Sequence, residues 1–331
     1  MFRLSTPSHR RLHRLPALAA VAAAALLAGA CGGGSGGGSA TSSTGVTKIK
    51  VGVIPIVDVA PIYLGIKQGF FSAEGLDVSL ESAQGGAAIV PGVVSGQFQF
   101  GFSNSVSLLL ASSKGLPLKV VAPGDASTGV PGKDFGSVIV KADSPIKTAA
   151  DLAGKTIAVN TLKNINTTTT NQAVRAAGGD PSGIKYVELA FPDIAPAIAK
   201  GDVDAGQVVE PFQTIATSQG DRQVVSNLAV TDPNLMVAMY FTSQSYIKQN
   251  PKIVTGFTTA MTKSLEYAAS HPDDARAILT TYTKLDPTVQ KTLILPKWPT
   301  TVDRNSVQVL SDLALKDKLL TTAPDLGALL P

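Results

Sequence analysis

Cysteine and histidine are nearly absent from this chain. Of 331 residues, one is cysteine and three are histidine. His9, His13 and Cys31 all belong to an N-terminal leader, so the body keeps only His271. One imidazole without a free thiol cannot build a His triad, a His-rich metal site or a Cys-His nucleophile. His271 stands in Ser270-His271-Pro272-Asp273-Asp274 and reads as a surface or helix-end residue. No catalytic residue, metal or cofactor is expected. Acidic residues are missing from residues 1–30, which carry Arg3, Arg10, Arg11 and Arg14. Those four arginines account for the formal net charge of +4, and the chain without them is neutral. Nucleic-acid binding therefore loses its support.

The leader has the layout of an export signal. A basic start precedes an Ala/Leu-rich run, Leu15 to Leu27, too short and too soon followed by glycines to span a membrane. It ends Leu27-Ala28-Gly29-Ala30-Cys31, which resembles a bacterial lipobox whose cysteine is lipidated and becomes the new N-terminus. The alternative is an ordinary signal peptide over 1–30 that happens to precede a cysteine. Arg10-Arg11 leaves Sec and twin-arginine export both open. Residues 31–47 hold a Gly/Ser/Thr tether that cannot form a core. Its root-mean-square reach is roughly 20 Å. The expected location is the extracytoplasmic face of the cell membrane, held by a lipid anchor.

The body repeats one event: a short apolar strand delivers a Gly, Ser or Asn loop to a helix. Ile49 to Ile54 stops at Pro55, a helix begins near Pro61 and runs through Phe70-Phe71, and Asp77 to Ser82 is a second strand. That βαβ unit calls for a parallel sheet, with ligands beyond the carboxyl ends of its strands. A helix kinked near Pro91 follows, then strands over Gln97–Phe102 and Lys119–Ala122. Ser137–Lys141 leads to a second series, Thr156–Val159, Lys185–Leu189, Gly206–Val209 and Arg222–Ser226. Its helices are Asp193–Lys200 and one starting at Thr167 or, alternatively, at Asn164. After an extended run, Leu235–Phe241, helices are expected over 251–270, 272–283, 287–294 and 304–319. The pattern gives an α/β protein of two lobes around a cleft: 48–137, then 138–237, with 238–331 returning to the first.

Several segments carry a family resemblance. They are Ala60-Pro61-Ile62-Tyr63-Leu64-Gly65-Ile66 with Gly69-Phe70-Phe71-Ser72-Ala73-Glu74-Gly75-Leu76, Ser95-Gly96-Gln97-Phe98-Gln99-Phe100-Gly101, and Ile146-Lys147 through Gly154-Lys155. Gly201-Asp202-Val203-Asp204-Ala205 ahead of Glu210-Pro211-Phe212 completes the set. From about residue 47 to 320 the chain resembles the solute-binding proteins of ABC importers, in the branch that includes nitrate, taurine, alkanesulfonate and thiamine-precursor binding proteins. The resemblance implies a type II periplasmic-binding fold, closure of two lobes on a solute, a monomer, and docking on an ABC permease. Two other classes stay open: an enzyme of thiamine-precursor type on the same scaffold, and a tethered interaction module without a small ligand.

Candidate ligand-binding residues lie at the strand ends. Asp58 either accepts from a ligand or caps the next helix, and Gln84-Gly85-Gly86 offers backbone donors or ordinary turn chemistry. Ser103 and Asn104 can cap and bind together. Asn164, Asn166 and Thr167 come from the second lobe, and Glu210 faces the cleft or hinge or pairs with a lysine. Helix N-termini with hydroxyls suit a sulfonate or carboxylate, whereas Asp58 with Glu210 suits N–H donors or a cation. These loops hold no arginine, and Lys163 is the one nearby cation. Tyr63, Phe102 and Phe212 either stack on a ligand ring or pack in the core.

Overall fold

The computed structural model describes residues 45–331. The expected signal peptide, the expected lipidation at Cys31 and the tether up to residue 44 lie outside the described residues. Ten strands are present: β1 (Thr47–Val53), β2 (Leu76–Ser82), β3 (Phe100–Asn104), β4 (Leu118–Ala126) and β5 (Gly136–Lys141) come first. Then follow β6 (Thr156–Val159), β7 (Lys185–Glu188), β8 (Ala205–Val209), β9 (Asp221–Val225) and β10 (Met236–Ser243). They form two five-stranded sheets, ordered β2-β1-β3-β10-β4 and β7-β6-β8-β5-β9. In each, three parallel strands are followed by an antiparallel one, β10 beside β3 and β5 beside β8. The strand that breaks the parallel run in each sheet is the one the chain enters from the other lobe. The first lobe is therefore closed by the returning β10, whereas β5 is the strand by which the chain first enters the second.

The buried strands read as near-continuous apolar runs, as sheets covered on both faces require. Val51, Val53, Phe100, Val120, Met239 and Phe241 have essentially no exposure in the first sheet. The long helix Pro251–Ser270 packs over it through Phe257, whose ring stacks on Phe100 at 3.8 Å. In the second lobe Val138, Val140, Ile157 and Ala205 pack with Val174 of the helix Ile165–Ala176.

Two crossings, 127–135 and 226–235, join the lobes. They lie side by side, since Ser127 N–H donates to the Leu235 carbonyl at 2.9 Å. Asp134 fixes the first crossing. Its carboxylate accepts from the Ser127 hydroxyl (2.6 Å) and from the N–H groups of Thr128 (2.9 Å) and Phe135 (3.0 Å).

Several local expectations change. The helix opened by Pro61 ends at Lys67, because Gly69 adopts φ 76° and restarts the chain as the short turn Phe70–Ala73. The strand expected at Gln97 begins at Phe100. Gln99 already uses its N–H on the Lys50 carbonyl and its side chain on Lys50 N–H. β4 continues through Pro123 to Ala126, which an edge strand with register shifts tolerates. Pro91 sits inside an unbroken helix, Gly86–Val94. Of the expected helix 287–294 only Pro287–Gln290 is helical, and Pro272–Ile278 passes into a tight turn over Leu279–Thr281.

Candidate functional site

The carboxyl ends of the parallel strands of both sheets meet across one cleft. From the first lobe come Ile54, Ile56 and Asp58 after β1, Phe102 and Asn104 at the end of β3, and Val237 and Ala238 from β10. From the second come Asn160 after β6, Asn164 to Asn166 at the next helix start, Phe191, and Val209 at the end of β8. The space between them is about 30 Å³, room for about two waters. It shares Ile54, Ile56 and Phe191 with a wider, mainly apolar mouth of about 290 Å³, where Phe212 stacks on Phe191 at 5.6 Å. The lobes are therefore closed on each other. A polar interior lies behind an apolar entrance.

Asn160 organises the polar interior. Its Oδ1 accepts from Asn164 Nδ2 (2.9 Å) and from Asn166 Nδ2 (2.8 Å). Across the cleft its carbonyl accepts from Gln84 Nε2 (2.9 Å), and its own Nδ2 donates to the Gln84 carbonyl (3.1 Å). A methyl group on Gly85 would come within 2.7 Å of Thr161 Cγ2, so this glycine permits the close approach of the lobes. Asn160 was missed by the sequence reading, which saw only a polar loop. Its place directly after β6, at the carboxyl end of a parallel strand, was the available signal.

At the helix N-termini the cap expected of Asn104 is present, but the donors are less free than expected. Sequence suggested free donors there for an anion. Instead Asn164 caps its own helix by accepting from Asn166 N–H (3.1 Å) and Thr167 N–H (3.4 Å). Asn104 accepts from Ser107 N–H (2.9 Å) and, across the cleft, from Ile165 N–H (3.3 Å). Such caps satisfy the orphan donors that an anion would otherwise take. Lys163 is exposed and takes no part in the lining. Among the described residues, no lysine or arginine lines either the interior or the mouth.

Asp58 lies in the tight turn Val57–Val59, is only 3% exposed, and leaves Oδ2 without a hydrogen-bond partner. Its backbone is held from behind, with its carbonyl accepting from Trp298 Nε1 at 3.4 Å. Behind it stands Asp125 of β4, wholly buried, with neither carboxylate oxygen partnered. Two ionised carboxylates are acceptors only and cannot satisfy each other, but one shared proton turns the pair into a hydrogen bond. Burial pushes the Asp58 pKa up to about 7 and that of Asp125 well above the carboxylate range, with their mutual repulsion adding to Asp125. The Tyr240 hydroxyl, also buried and unpartnered, is pushed up by burial and by these two acids.

Of the remaining sequence candidates, Ser103, Thr167 and Glu210 fall behind the lining. Ser103 is buried beneath Gly86, whose added Cβ would strike its hydroxyl. Thr167 turns its hydroxyl onto the Asn164 carbonyl at 2.8 Å. Gln84 borders the mouth. Glu210, expected at the cleft, is instead bound by protein. Its carboxylate accepts from the Thr214 hydroxyl (2.7 Å), Thr214 N–H (3.1 Å) and Ile294 N–H (3.2 Å). Its carbonyl accepts from Val57 N–H at 3.0 Å. Burial holds its pKa up at about 7. Glu210 ties the second lobe to Val57 of the first and to the C-terminal segment, and is absent from the lining. Tyr63 stacks on Tyr282 at 3.9 Å, away from the interior, whereas Phe102 lines it and packs on Tyr240 at 5.1 Å.

Among the described residues no group of three or more His, Cys, Asp or Glu could hold a metal ion, and no helix is long and apolar enough to cross a membrane. His271 is exposed and stacks on Tyr267 at 4.0 Å.

Residues 56–275, more than half of the chain, match the family model described as NMT1/THI5 like. The formylaminopyrimidine-binding protein of Halalkalibacterium halodurans is 24% identical over 223 residues, 66% of this chain and 65% of that one. The 4-amino-5-hydroxymethyl-2-methylpyrimidine phosphate synthase of Aspergillus parasiticus is 22% identical over 226 residues, 64% of each chain. The chain thus spans less than two thirds of the length of either relative. In structure it resembles the alkanesulfonate-binding protein SsuA of Xanthomonas axonopodis pv. citri, with a TM-score of 0.72 at 17% identity over 85% of this chain and 97% of that one. That likeness shows the fold, the two-lobed α/β architecture of periplasmic binding proteins.

Proposed function

The chain belongs to the NMT1/THI5-like family, and from that premise we propose that it is the solute-binding component of an ABC importer. It captures a small organic solute by closing two lobes and delivers it to a permease. Exported by its signal peptide and lipidated on Cys31, it works as a monomer tethered to the extracytoplasmic face of the membrane. The observation that carries this reading is the cleft itself: side chains of both lobes line one enclosed space and bond to each other across it. A solute touching both lobes favours the closed state by its differential affinity, which is all that hinge closure requires.

The synthase named among the relatives raises an enzymatic alternative. Against it stands the lining, where Asp58 is the one titratable side chain and Ser82 of the mouth the one hydroxyl. The named ligands of relatives differ in charge, a formylaminopyrimidine in one and an alkanesulfonate in another, so family membership leaves the solute open. Native mass spectrometry of the purified full-length protein, followed by thermal shift with any co-purified compound, tests the reading. A one-to-one complex that raises the melting temperature without turnover supports it. A protein that no solute stabilises, or that consumes the bound compound, overturns it.

A further inference from the structure

Resting on the reading of capture by closure, we infer that Glu210 is a closure latch, a positioning residue that holds the two lobes together on the solute without touching it. It stands in the second lobe, directly after β8, and its carboxylate accepts from Thr214 in the first turn of the helix Phe212–Ser218. Two donors of the first lobe also reach it. Val57 N–H donates to its carbonyl at 3.0 Å, and Ile294 N–H donates to its carboxylate at 3.2 Å. None of these three residues lines the cleft or its mouth.

Ile294 moves with the first lobe because its flanks are fixed there. The Leu293 carbonyl accepts from Arg276 Nε at 3.3 Å. Lys297 pairs with Ala126 through two backbone bonds of 2.8 and 3.0 Å, and Trp298 Nε1 donates to the Asp58 carbonyl at 3.4 Å. Upstream, the Tyr282 hydroxyl donates to the Ile56 carbonyl at 3.1 Å. Between these ties the segment forms a strap that reaches the other lobe, where the short helix Pro287–Gln290 rests on Phe212–Ser218. Rotation of the second lobe about the crossings therefore draws Glu210 away from an amide that cannot follow. A stretch of about half an ångström ends a bond of this length, so the contact is made with the lobes closed and lost as they open. Glu210 is fully buried, and removing its carboxylate leaves the Ile294 N–H without its acceptor. The latch thus raises the closed population before solute arrives, and solute affinity rises with that population.

Amide hydrogen exchange, read by NMR on the full-length, ligand-free protein, tests this without any solute. The reporter is Ile165 N–H, which donates to Asn104 Oδ1 across the cleft at 3.3 Å and belongs to a different contact from that of Glu210. Glu210→Ala should speed exchange at Ile294. Because the lobes part, it should also speed exchange at Ile165 by about tenfold, the effect of roughly one net hydrogen bond. Glu210→Gln keeps an oxygen acceptor for Ile294 and should restore the slow rate at Ile165. Should Glu210→Ala not fold, Glu210→Asp draws the carboxylate back by one methylene and is expected to expose the same two amides. Faster exchange confined to Ile294 would make Glu210 a local tie only and overturn the inference. So would unchanged rates at both amides, or a Glu210→Gln variant that exchanges as fast as Glu210→Ala. Any of these results leaves solute binding itself standing, since native mass spectrometry of a co-purified compound reads that separately.

Discussion

Gln84 and Asn160 exchange two hydrogen bonds across the cleft, each side-chain amide donating to the other's backbone carbonyl, at 2.9 and 3.1 Å. Backbone acceptors of this kind are present whatever the side chain. The exchange therefore depends on how closely the two loops approach, and that approach depends on Gly85. Its backbone is extended, with φ −169°, so another residue would be free of backbone strain there. The obstacle is purely steric: an added Cβ lies 2.7 Å from Thr161 Cγ2. Gly85→Ala should hold the lobes apart and weaken solute binding by about tenfold, the effect of losing roughly one net hydrogen bond. Thr161→Ser in that background removes the offending methyl and should restore part of the affinity. Small-angle scattering with calorimetry checks both, and an unchanged radius of gyration in Gly85→Ala would count against this account of closure.

The buried acids predict how stability depends on pH. Asp58 and Glu210, each raised to about 7, keep their protons in the folded protein over a range where the unfolded chain has lost them. Between about pH 4 and 7 the native state thus binds more protons, and stability falls as pH rises, by about 1.4 kcal/mol per unit of pKa difference for each group. The exposed Asp151, Asp180 and Asp286, lowered by hydrogen bonds, act oppositely but only at more acid pH. The ligand-free protein should therefore melt several degrees higher at pH 5 than at pH 8. Asp58→Asn should flatten part of that slope. A melting temperature that climbs steadily from pH 5 to 8 would contradict the assignment.

A second tie lies away from the cleft. Arg175, on the helix Ile165–Ala176 of the second lobe, pairs with Asp317, which follows the helix Arg304–Lys316. Asp317 also accepts from Asn171 Nδ2 at 2.9 Å, and Asn171 Oδ1 accepts from the Tyr186 hydroxyl at 2.7 Å. Asp317→Ala would leave the half-buried guanidinium without its acid. We expect a loss of about 2 kcal/mol, below the cost of breaking a fully buried pair because Arg175 keeps some solvent. The double variant Arg175→Leu/Asp317→Leu should lose less than the sum of the single changes. Strict additivity in denaturant melts would show that the pair does not interact.

Sequence showed the fold more readily than the site. Apolar strands alternating with amphipathic helices repeat often enough to reveal two α/β lobes, because burial on both faces of a sheet writes itself into composition. The rule that ligands gather beyond strand ends found Asp58, Asn104 and Asn164. Capping by Asn104 was legible and is present, but the cap made by Asn164 was not, since a cap and a ligand-binding amide look identical in one dimension. Asp125 was invisible for a related reason. It sits where a strand was expected to have stopped at Pro123, and its meaning depends on the distant Asp58. Glu210 looked like a site residue because its partners, Thr214 and Ile294, come together only when the C-terminal segment returns.

The four threonines Thr167 to Thr170 are poor helix formers, yet they fill the first turns of a helix and are all buried. The structure gives adjacent members opposite roles. Thr169 Oγ1 donates to the Ile165 carbonyl at 2.7 Å and accepts from Asn227 Nδ2 at 2.7 Å, a bond from the second crossing into the helix. Asn227 is wholly buried and its Oδ1 already lacks a partner. Thr169→Val would strand the amide nitrogen as well and should cost about 1–3 kcal/mol. Thr170 Oγ1 is equally buried but has no partner. Thr170→Val removes an unsatisfied hydroxyl at nearly constant shape and should leave stability unchanged or raise it by about 1 kcal/mol. Urea melts of the two variants provide the check. Equal losses in both would mean that the Asn227 bond does not set the difference.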